Sequence, residues 1–432
     1  MKLNKNKNWI YAKNIIPGGN MLISKRSDFL LPDYWPSYYK KAKGCFVWDL
    51  NNNKLLDMYF GVGTNIHGYT NNKIDKRIHE VIKNSNMSSL NSYDEVLLAK
   101  ELIKIHKWPS MAKFSRSGGE ANAIAIRIAR ASSKNKNIAF CGYHGWHDWY
   151  LSSTLNKNNS LSNHLIPGID SSGIPHQLKN TAFPFQYNNF EMLKKIVKEK
   201  KIGIIKMEVQ RNYYPKNNFL QKVRRLATKN KIILIFDECT TGFRENLGGL
   251  HLKYKVYPDM LILGKALGNG YAINAVLGKR NIMQAANKTF ISSTFWTERI
   301  GYAAALACLK EMKKKSFFKK IIKTGKYIKK GWSELAKKNK IKIEITGIDP
   351  IPIFNFENKI NIEASTYLTQ EMLKKNIIAT NCIYVSIAHT KKYIDLYLRE
   401  LDKIFFKISK NKHNLKKFIK GPLKQRSLKR VN

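Results

Sequence analysis

Met260-Leu261-Ile262-Leu263-Gly264-Lys265-Ala266-Leu267-Gly268-Asn269-Gly270 sets a lysine directly behind a short apolar run. The run reads as a buried strand that glycine stops. Lys265 is thereby pinned at the carboxyl end of a strand, unlike a lysine on a solvated face. A second run of the same kind lies upstream, where Ile232-Ile233-Leu234-Ile235-Phe236 ends at once in Asp237-Glu238.

Working outward, helical patterns and short apolar runs alternate from about residue 73. Residues 94–106 and 120–131 read as helices, and 138–140, 202–207, 232–236 and 260–263 as short buried strands. Helical stretches at 190–199 and 219–230 lie between several of them. Strands alternating with helices predict an α/β fold whose mostly parallel sheet is covered on both faces. Ligands of such sheets sit beyond the carboxyl ends of the strands. Asp237 and Lys265 are both expected at that edge, so they can converge. Taken alone, Asp237 would be an acid capping a turn after a strand. Together, an acid and a lysine so placed are the two protein groups of a pyridoxal phosphate site: the lysine forms the Schiff base and the acid pairs with the pyridinium nitrogen.

The remaining texture predicts a second, smaller domain. Residues 44–49 and 54–58 flank Asn51-Asn52-Asn53 and read as a hairpin. After about residue 310 come a helical stretch, apolar runs at 341–345 and 351–356, and a helix near 365–375. The expected division is an N-terminal segment at 1–70 that joins the small domain, a large domain at 71–310, and a small α+β domain at 311–432. Residues 411–432 hold eight Lys and Arg and no acid, which reads as a solvated basic tail.

Composition narrows the function. The chain has 432 residues and 43% hydrophobic content, enough for a sizeable core. Its formal net charge is +47, from 77 Lys+Arg against 30 Asp+Glu. Such a balance normally points to nucleic acid. Here the excess runs along the whole chain with abundant asparagine and isoleucine. It reads as a drift in amino-acid usage, so no specific nucleic-acid partner is expected, only polyanion stickiness that falls with salt. The five cysteines form no CxxC pair, and their number is odd. Neither a disulfide framework nor a zinc site is expected, and a reducing cytoplasm fits. No apolar h-region follows the N-terminus and no run has the length of a membrane span, so no membrane partner is expected.

Four motifs in order resemble one family. Phe114-Ser115-Arg116-Ser117-Gly118-Gly119-Glu120-Ala121 resembles the SGTEA-type motif of class III aminotransferases. Gly142-Tyr143-His144-Gly145-Trp146-His147 is similar to their YHG segment. Asp237-Glu238-Cys239-Thr240-Thr241-Gly242-Phe243-Arg244 resembles DEV-x-TGFR, and the Lys265 stretch resembles their LGK motif. Pro17-Gly18-Gly19 and Gly421-Pro422-Leu423 resemble the glutamate-1-semialdehyde aminomutase branch. The resemblance implies the fold type I architecture, pyridoxal 5′-phosphate as cofactor, a small-molecule substrate and a homodimer with shared active sites. No metal is implied, and His144 and His147 lack a third ligand nearby.

The resemblance also assigns roles. Ser117, Gly118 and Gly119 open a helix whose amides cradle the cofactor phosphate. The family commonly has threonine where Gly119 stands, so the phosphate relies more on backbone and on Ser117. Tyr143 stacks on the cofactor ring. Asp237 keeps the ring nitrogen protonated, and Lys265 is both tether and base. Thr294, in Ser293-Thr294-Phe295-Trp296-Thr297-Glu298-Arg299, falls on a threonine that bonds the phosphate of the neighbouring subunit's cofactor. The family's xxGNP is replaced there by Phe295 to Arg299. That favours an aminotransferase-like enzyme with a different substrate over the aminomutase, which makes 5-aminolevulinate for tetrapyrrole synthesis. Lys25-Arg26 reads either as a substrate carboxylate clamp or as a solvated basic pair. A racemase is a further outcome of the same machinery, and a polyanion-binding protein on an inactive scaffold is the alternative from another class.

Overall fold

The structure is a computed structural model that describes residue 3, residues 5–156 and residues 171–425. Contacts divide the described residues into two compact units, one from Asn72 to Phe318 and one that joins the residues up to Asn71 to residues 319–425.

The first unit is built on a seven-stranded sheet. Its strands in chain order are β1 (Met111–Ser115), β2 (Asn137–Cys141), β3 (Ala182–Pro184), β4 (Ile202–Glu208), β5 (Ile233–Glu238), β6 (Met260–Leu263) and β7 (Asn274–Gly278). They lie side by side in the order β1-β7-β6-β5-β4-β2-β3. The pairs β3–β2, β2–β4, β4–β5 and β5–β6 are parallel. β7 alone runs against its neighbours β6 and β1. The core strands β4, β5, β6 and β7 are buried at every position, as both-face coverage by helices demands. That is why β5 and β6 read in the sequence as apolar runs.

Helix α1 (Asn72–Lys83), α2 (Tyr93–His106), α3 (Gly118–Ser132), α4 (Phe190–Glu199), α5 (Phe219–Lys229) and α6 (Arg299–Met312) belong to this unit. α3 buries Ala121, Ile124, Ala125, Ile128 and Ala129 in one core cluster with Ile204, Ile235 and Ile262 of the sheet. The alanines let the helix approach the strands closely. Strands β1, β3 and β7 were not evident in the sequence. β1 carries Lys113 amid half-buried positions, and β3 is three residues long with a proline. Such short segments give no periodicity to read.

In the second unit the expected hairpin is present, Phe46–Asp49 pairing antiparallel with Lys54–Asp57. It is extended by Tyr39–Lys43 on one side and by Ile377–Ile378, parallel, on the other. Ile343–Thr346 and Ile353–Phe356 pair as a separate ribbon. Trp332 packs edge-on against Phe354 at 4.7 Å and donates its indole N–H to the Tyr397 hydroxyl at 3.0 Å. Most of residues 411–425 are exposed, as expected of a solvated tail, yet the segment is held at points along its length. Leu415 is buried, the Lys424 amide donates to Thr366 Oγ1 at 3.2 Å, and the Gln425 amide donates to the Asp28 carbonyl at 2.7 Å. A basic segment docks where its backbone finds acceptors and its few apolar side chains find a core. The rest of the tail, 426–432, lies outside the described residues.

The sheet core sets a stability expectation. Ile235→Ala removes a fully buried side chain from the centre of β5 and should cost about 2–5 kcal/mol in urea unfolding followed by tryptophan fluorescence. Ile82→Ala, on the exposed face of α1, should stay within about 0.5 kcal/mol. Equal losses at the two positions would contradict this placement of the core.

Candidate active site

Parallel strands deliver their carboxyl ends to one edge, and the motif residues of the sequence follow those ends. Ser117, Gly118 and Gly119 follow β1, Tyr143 and His144 follow β2, and Lys265 follows β6. Asp237 lies within the last turn of pairing of β5, level with Glu208 on β4 and Ile262 on β6. The topology alone therefore gathers residues far apart in sequence.

Asp237 is almost fully buried and has a partner on each oxygen. Its Oδ1 accepts the Cys239 amide at 3.0 Å. Its Oδ2 faces His144 Nδ1 at 2.9 Å and the Lys206 ammonium at 3.6 Å. Burial by itself would raise the proton affinity of this carboxyl. The Lys206 charge, the His144 hydrogen bond and the Cys239 amide overcome it and hold Asp237 well below the ordinary carboxylate range. Asp237 is thus a carboxylate at any working pH. His144 is pulled below its ordinary value by burial first and by Lys206 second. Its Nδ1 donates to Asp237, and its Nε2 lies 3.2 Å from the Cys141 carbonyl. The neighbouring acid Glu238 has a different task. Its oxygens accept the amides of Leu250 at 2.7 Å and His251 at 3.0 Å, and His251 Nδ1 at 2.7 Å, which closes the following turn.

Lys265 is half-buried and donates from Nζ to Thr240 Oγ1 at 2.9 Å. Thr240 stands in the turn that begins at Asp237, so this bond ties the lysine to the acid's own turn. The Lys265 backbone has φ 43°, a left-handed conformation that lysine adopts at a cost of about 1 kcal/mol or more. Gly264 before it is required by contact rather than by torsion. A Cβ there would stand 2.0 Å from the Oδ1 of buried Asn274 on β7.

The start of α3 is closed by a side-chain cap. Ser117 and Glu120 form a reciprocal capping box, with Glu120 Oε2 accepting the Ser117 amide at 2.8 Å and the Arg116 amide at 3.0 Å. Among the described residues, no acceptor faces the amides of Gly118 and Gly119. The missing threonine at position 119 has a structural counterpart. His147 stands over Gly119, where a Cβ would lie 2.7 Å from His147 Cε1, and the His147 ring stacks on Trp146 at 4.4 Å. The space a threonine side chain would take is filled by an imidazole.

Tyr143 is partly exposed beside this edge, with its amide donating to Glu208 Oε2 at 3.1 Å. Thr294 is exposed at the start of a short turn, and its carbonyl accepts the Thr297 hydroxyl at 2.8 Å. It is not part of the Asp237–Lys265 cluster. The divergent segment behind it is clamped by Arg116. That guanidinium donates to the carbonyls of Phe295 at 3.0 Å and Trp296 at 2.9 Å, pairs with the Glu298 carboxylate at 3.3 Å and covers the Tyr302 ring at 4.8 Å. In the other unit Arg26 lies against Gly18, where a Cβ would meet its Nη2 at 1.9 Å. Arg26 is therefore packed on the Pro17-Gly18-Gly19 turn rather than splayed as one of a solvated pair.

Two site residues were missed from sequence. His144 was weighed only as a metal ligand, yet it is the hydrogen-bond partner of Asp237. Lys206 passed unnoticed inside an apolar run. The signal was there, since a charge in a strand buried on both faces needs a reason.

This donor set has the chemistry of one ligand class. A buried carboxylate suits a protonated ring nitrogen, an amine suits a carbonyl carbon, and open helix amides suit a phosphate. The residues fit pyridoxal phosphate. Residues 32–393 match the family described as Aminotransferase class-III. The chain is 32% identical to a 3-aminobutyryl-CoA aminotransferase of Cloacimonas acidaminovorans (strain Evry), over 80% of this chain and 82% of the relative. It is 32% identical to a glutamate-1-semialdehyde 2,1-aminomutase of Wigglesworthia glossinidia brevipalpis, over 94% of this chain and 98% of the relative. Among solved structures, the FumI protein of Sphingopyxis sp. MTA144 superposes with TM-score 0.84 at 21% identity, covering 94% of this chain and 97% of that one. An omega-transaminase from Sphaerobacter thermophilus gives TM-score 0.82 at 19% identity, covering 93% and 97%.

The pairing of Gly119 with His147 predicts a compensating pair. Gly119→Thr should lower stability by about 1–3 kcal/mol, because the new side chain meets the imidazole. Adding His147→Ala should recover most of that loss, a coupling read from the four denaturation curves of the cycle. Additive losses would mean that the two side chains do not share this space.

Proposed function

The chain belongs to the class-III aminotransferase family, and on that premise we propose that it is a pyridoxal phosphate-dependent enzyme that moves an amino group on a small amino or carbonyl substrate. The observation that carries the reading is the joint placement of Asp237 and Lys265 at neighbouring carboxyl strand ends, joined through Thr240. The cofactor, when bound, supplies an electron sink for the pair left on the substrate's Cα. Everything else falls to this chain. Asp237, kept ionised by its surroundings, holds a proton on the ring nitrogen. His144 fixes the carboxylate's orientation through its 2.9 Å bond. The amides of Gly118 and Gly119 and the hydroxyl of Ser117 hold the phosphate at the positive end of α3. Tyr143 would lie beside the ring. Lys265 would hold the cofactor covalently in the resting protein, and its Nζ would serve as the base for the substrate's Cα proton.

The working unit in this reading is a cytoplasmic homodimer whose active sites are shared. Thr294 would bond the phosphate in the partner's site, and its exposure supports that role. The five cysteines are all free, in keeping with a reducing compartment. Among the described residues no helix is long and apolar enough to cross a membrane. An aminotransferase is favoured over the aminomutase because Phe295 to Arg299 replaces the segment that would sense that substrate, and Arg116 holds the replacement in a set shape. The aminomutase stands as the second reading because curated aminomutases match this chain along 94% of its length. Glutamate 1-semialdehyde separates the two. An aminomutase returns 5-aminolevulinate from it with no donor consumed, and an aminotransferase needs a donor amino acid and releases its oxo acid.

Three outcomes test the assignment. Borohydride reduction of the cofactor-loaded protein should fix the label to the peptide holding Lys265, and a label on any other peptide sinks the assignment. Lys265→Ala should still bind the cofactor non-covalently and lose turnover by about three orders of magnitude or more. Asp237→Asn should keep the fold and the tether while turnover falls roughly a hundredfold and substrate affinity changes little. Shared sites are tested by mixing. Provided Thr294→Ala alone binds phosphate weakly, inactive Lys265→Ala and Thr294→Ala chains should regain activity together, because one hybrid site receives both natural residues. No recovery despite proven subunit exchange refutes sharing.

A further inference from the structure

Lys206 takes no part in the chemistry proposed above, yet it sits behind the residue on which that chemistry rests. It stands on β4, between β2 and β5, and is fully buried. Its ammonium has no hydrogen-bond acceptor among the described residues. Its one ion pair there is with Asp237 Oδ2 at 3.6 Å. The Trp149 ring lies 6.0 Å away. The titratable groups facing it are Asp237 and Cys239 from β5 and its turn, Glu208 from its own strand and His144 from the loop after β2. Its companions Ile202, Gly203, Ile204, Ile205 and Met207 are apolar or small, as the middle of a sheet requires. A buried ammonium in that row is costly and gains little of its own, since its pair is longer than a hydrogen bond. Burial lowers its proton affinity and the Asp237 charge opposes that fall.

Resting on the pyridoxal phosphate reading, we propose that Lys206 is a positioning residue that shares the Asp237 carboxylate with the cofactor's ring nitrogen and weakens that nitrogen's hold on its proton. One carboxylate then serves two cations. His144 adds a hydrogen bond to the same carboxylate oxygen. A carboxylate that faced the ring nitrogen alone would keep it protonated through the alkaline range. With Lys206 behind it, the nitrogen releases its proton at lower pH, by about one to two pH units, the order of effect of one further unit charge on the same carboxylate in partly polar protein. The ring is then a graded electron sink, strong below that pH and weaker above it. Lys206 touches neither cofactor nor substrate in this scheme and acts only through Asp237.

The test uses full-length protein loaded with pyridoxal phosphate carrying ¹⁵N in the ring, and reads the nitrogen's chemical shift against pH. Protonation moves a pyridine nitrogen strongly upfield, so the titration reports the group directly and without turnover. In the natural protein the nitrogen should release its proton within the pH range where the protein stays folded. In Lys206→Met, similar in length and uncharged, the midpoint should rise by about one to two pH units. The alkaline limb of the turnover profile should move with it, while KM at neutral pH stays within about twofold. Lys206→Leu serves as the second variant, and the natural protein's own titration stands even where both variants fail to fold. A nitrogen that stays protonated throughout in the natural protein overturns the proposal. So does a midpoint that is the same with and without the lysine. Protein that binds the cofactor and gives either of those results leaves the proposed function standing. Protein that binds no cofactor overturns both.

Discussion

A carboxylate at the buried end of a central strand stays ionised only while donors and cations face it, and in this chain Asp237 is kept so by Cys239, His144 and Lys206. Much of the edge is arranged around that requirement. β2 must end where its loop can bring His144 under the acid. β4 must lie beside β5 for its lysine to reach Oδ2. β6 must lie on the other side, so that Lys265 can bond to Thr240 in the acid's own turn. The sheet order is therefore the device that turns dispersed residues into one site. The apolar runs buried on both faces are what hold that order in place.

Much of this was legible before any coordinates. An acid closing one apolar run and a lysine closing another predict a shared edge, because parallel strands end on the same side. Strands β4, β5 and β6 follow the sequence closely, since buried apolar runs are strong local signals, and α3 opens at the expected Ser117-Gly118-Gly119. Other parts were hidden for physical reasons. β7 is short, runs against its neighbours and is held by pairing on both sides rather than by its own pattern. His144 and Lys206 act through partners distant in sequence, 93 residues in the case of His144 and Asp237. No local pattern encodes such a contact. The docking of residues 415–425 was likewise invisible, because backbone amides that find acceptors on another element leave no trace in composition.

The places where the chain departs from its family's motifs are not isolated. Gly119 lacks a side chain, and His147 fills the room. The segment from Phe295 to Glu298 is altered, and Arg116, next to the start of α3, takes up its carbonyls and the Glu298 carboxylate. Trp296 returns the link by donating its indole N–H to Glu120 Oε1 at 3.2 Å, the same acid that completes the α3 cap. The start of α3 and the divergent segment thus form one hydrogen-bonded block, so a single substitution toward the family's motif should perturb both.

The central claim is that Asp237 meets the cofactor's ring nitrogen. It is tested most directly by the analogue of pyridoxal phosphate in which carbon replaces that nitrogen. Both compounds keep the phosphate and the carbonyl, so the cradle and Lys265 treat them alike. At pH 6 the natural protein should bind pyridoxal phosphate about tenfold or more tighter than the analogue, the worth of a buried charge-assisted hydrogen bond. Asp237→Ala should bind the two within about threefold of each other. A natural protein that does not tell them apart, or an Asp237→Ala protein that still does, would contradict the assignment.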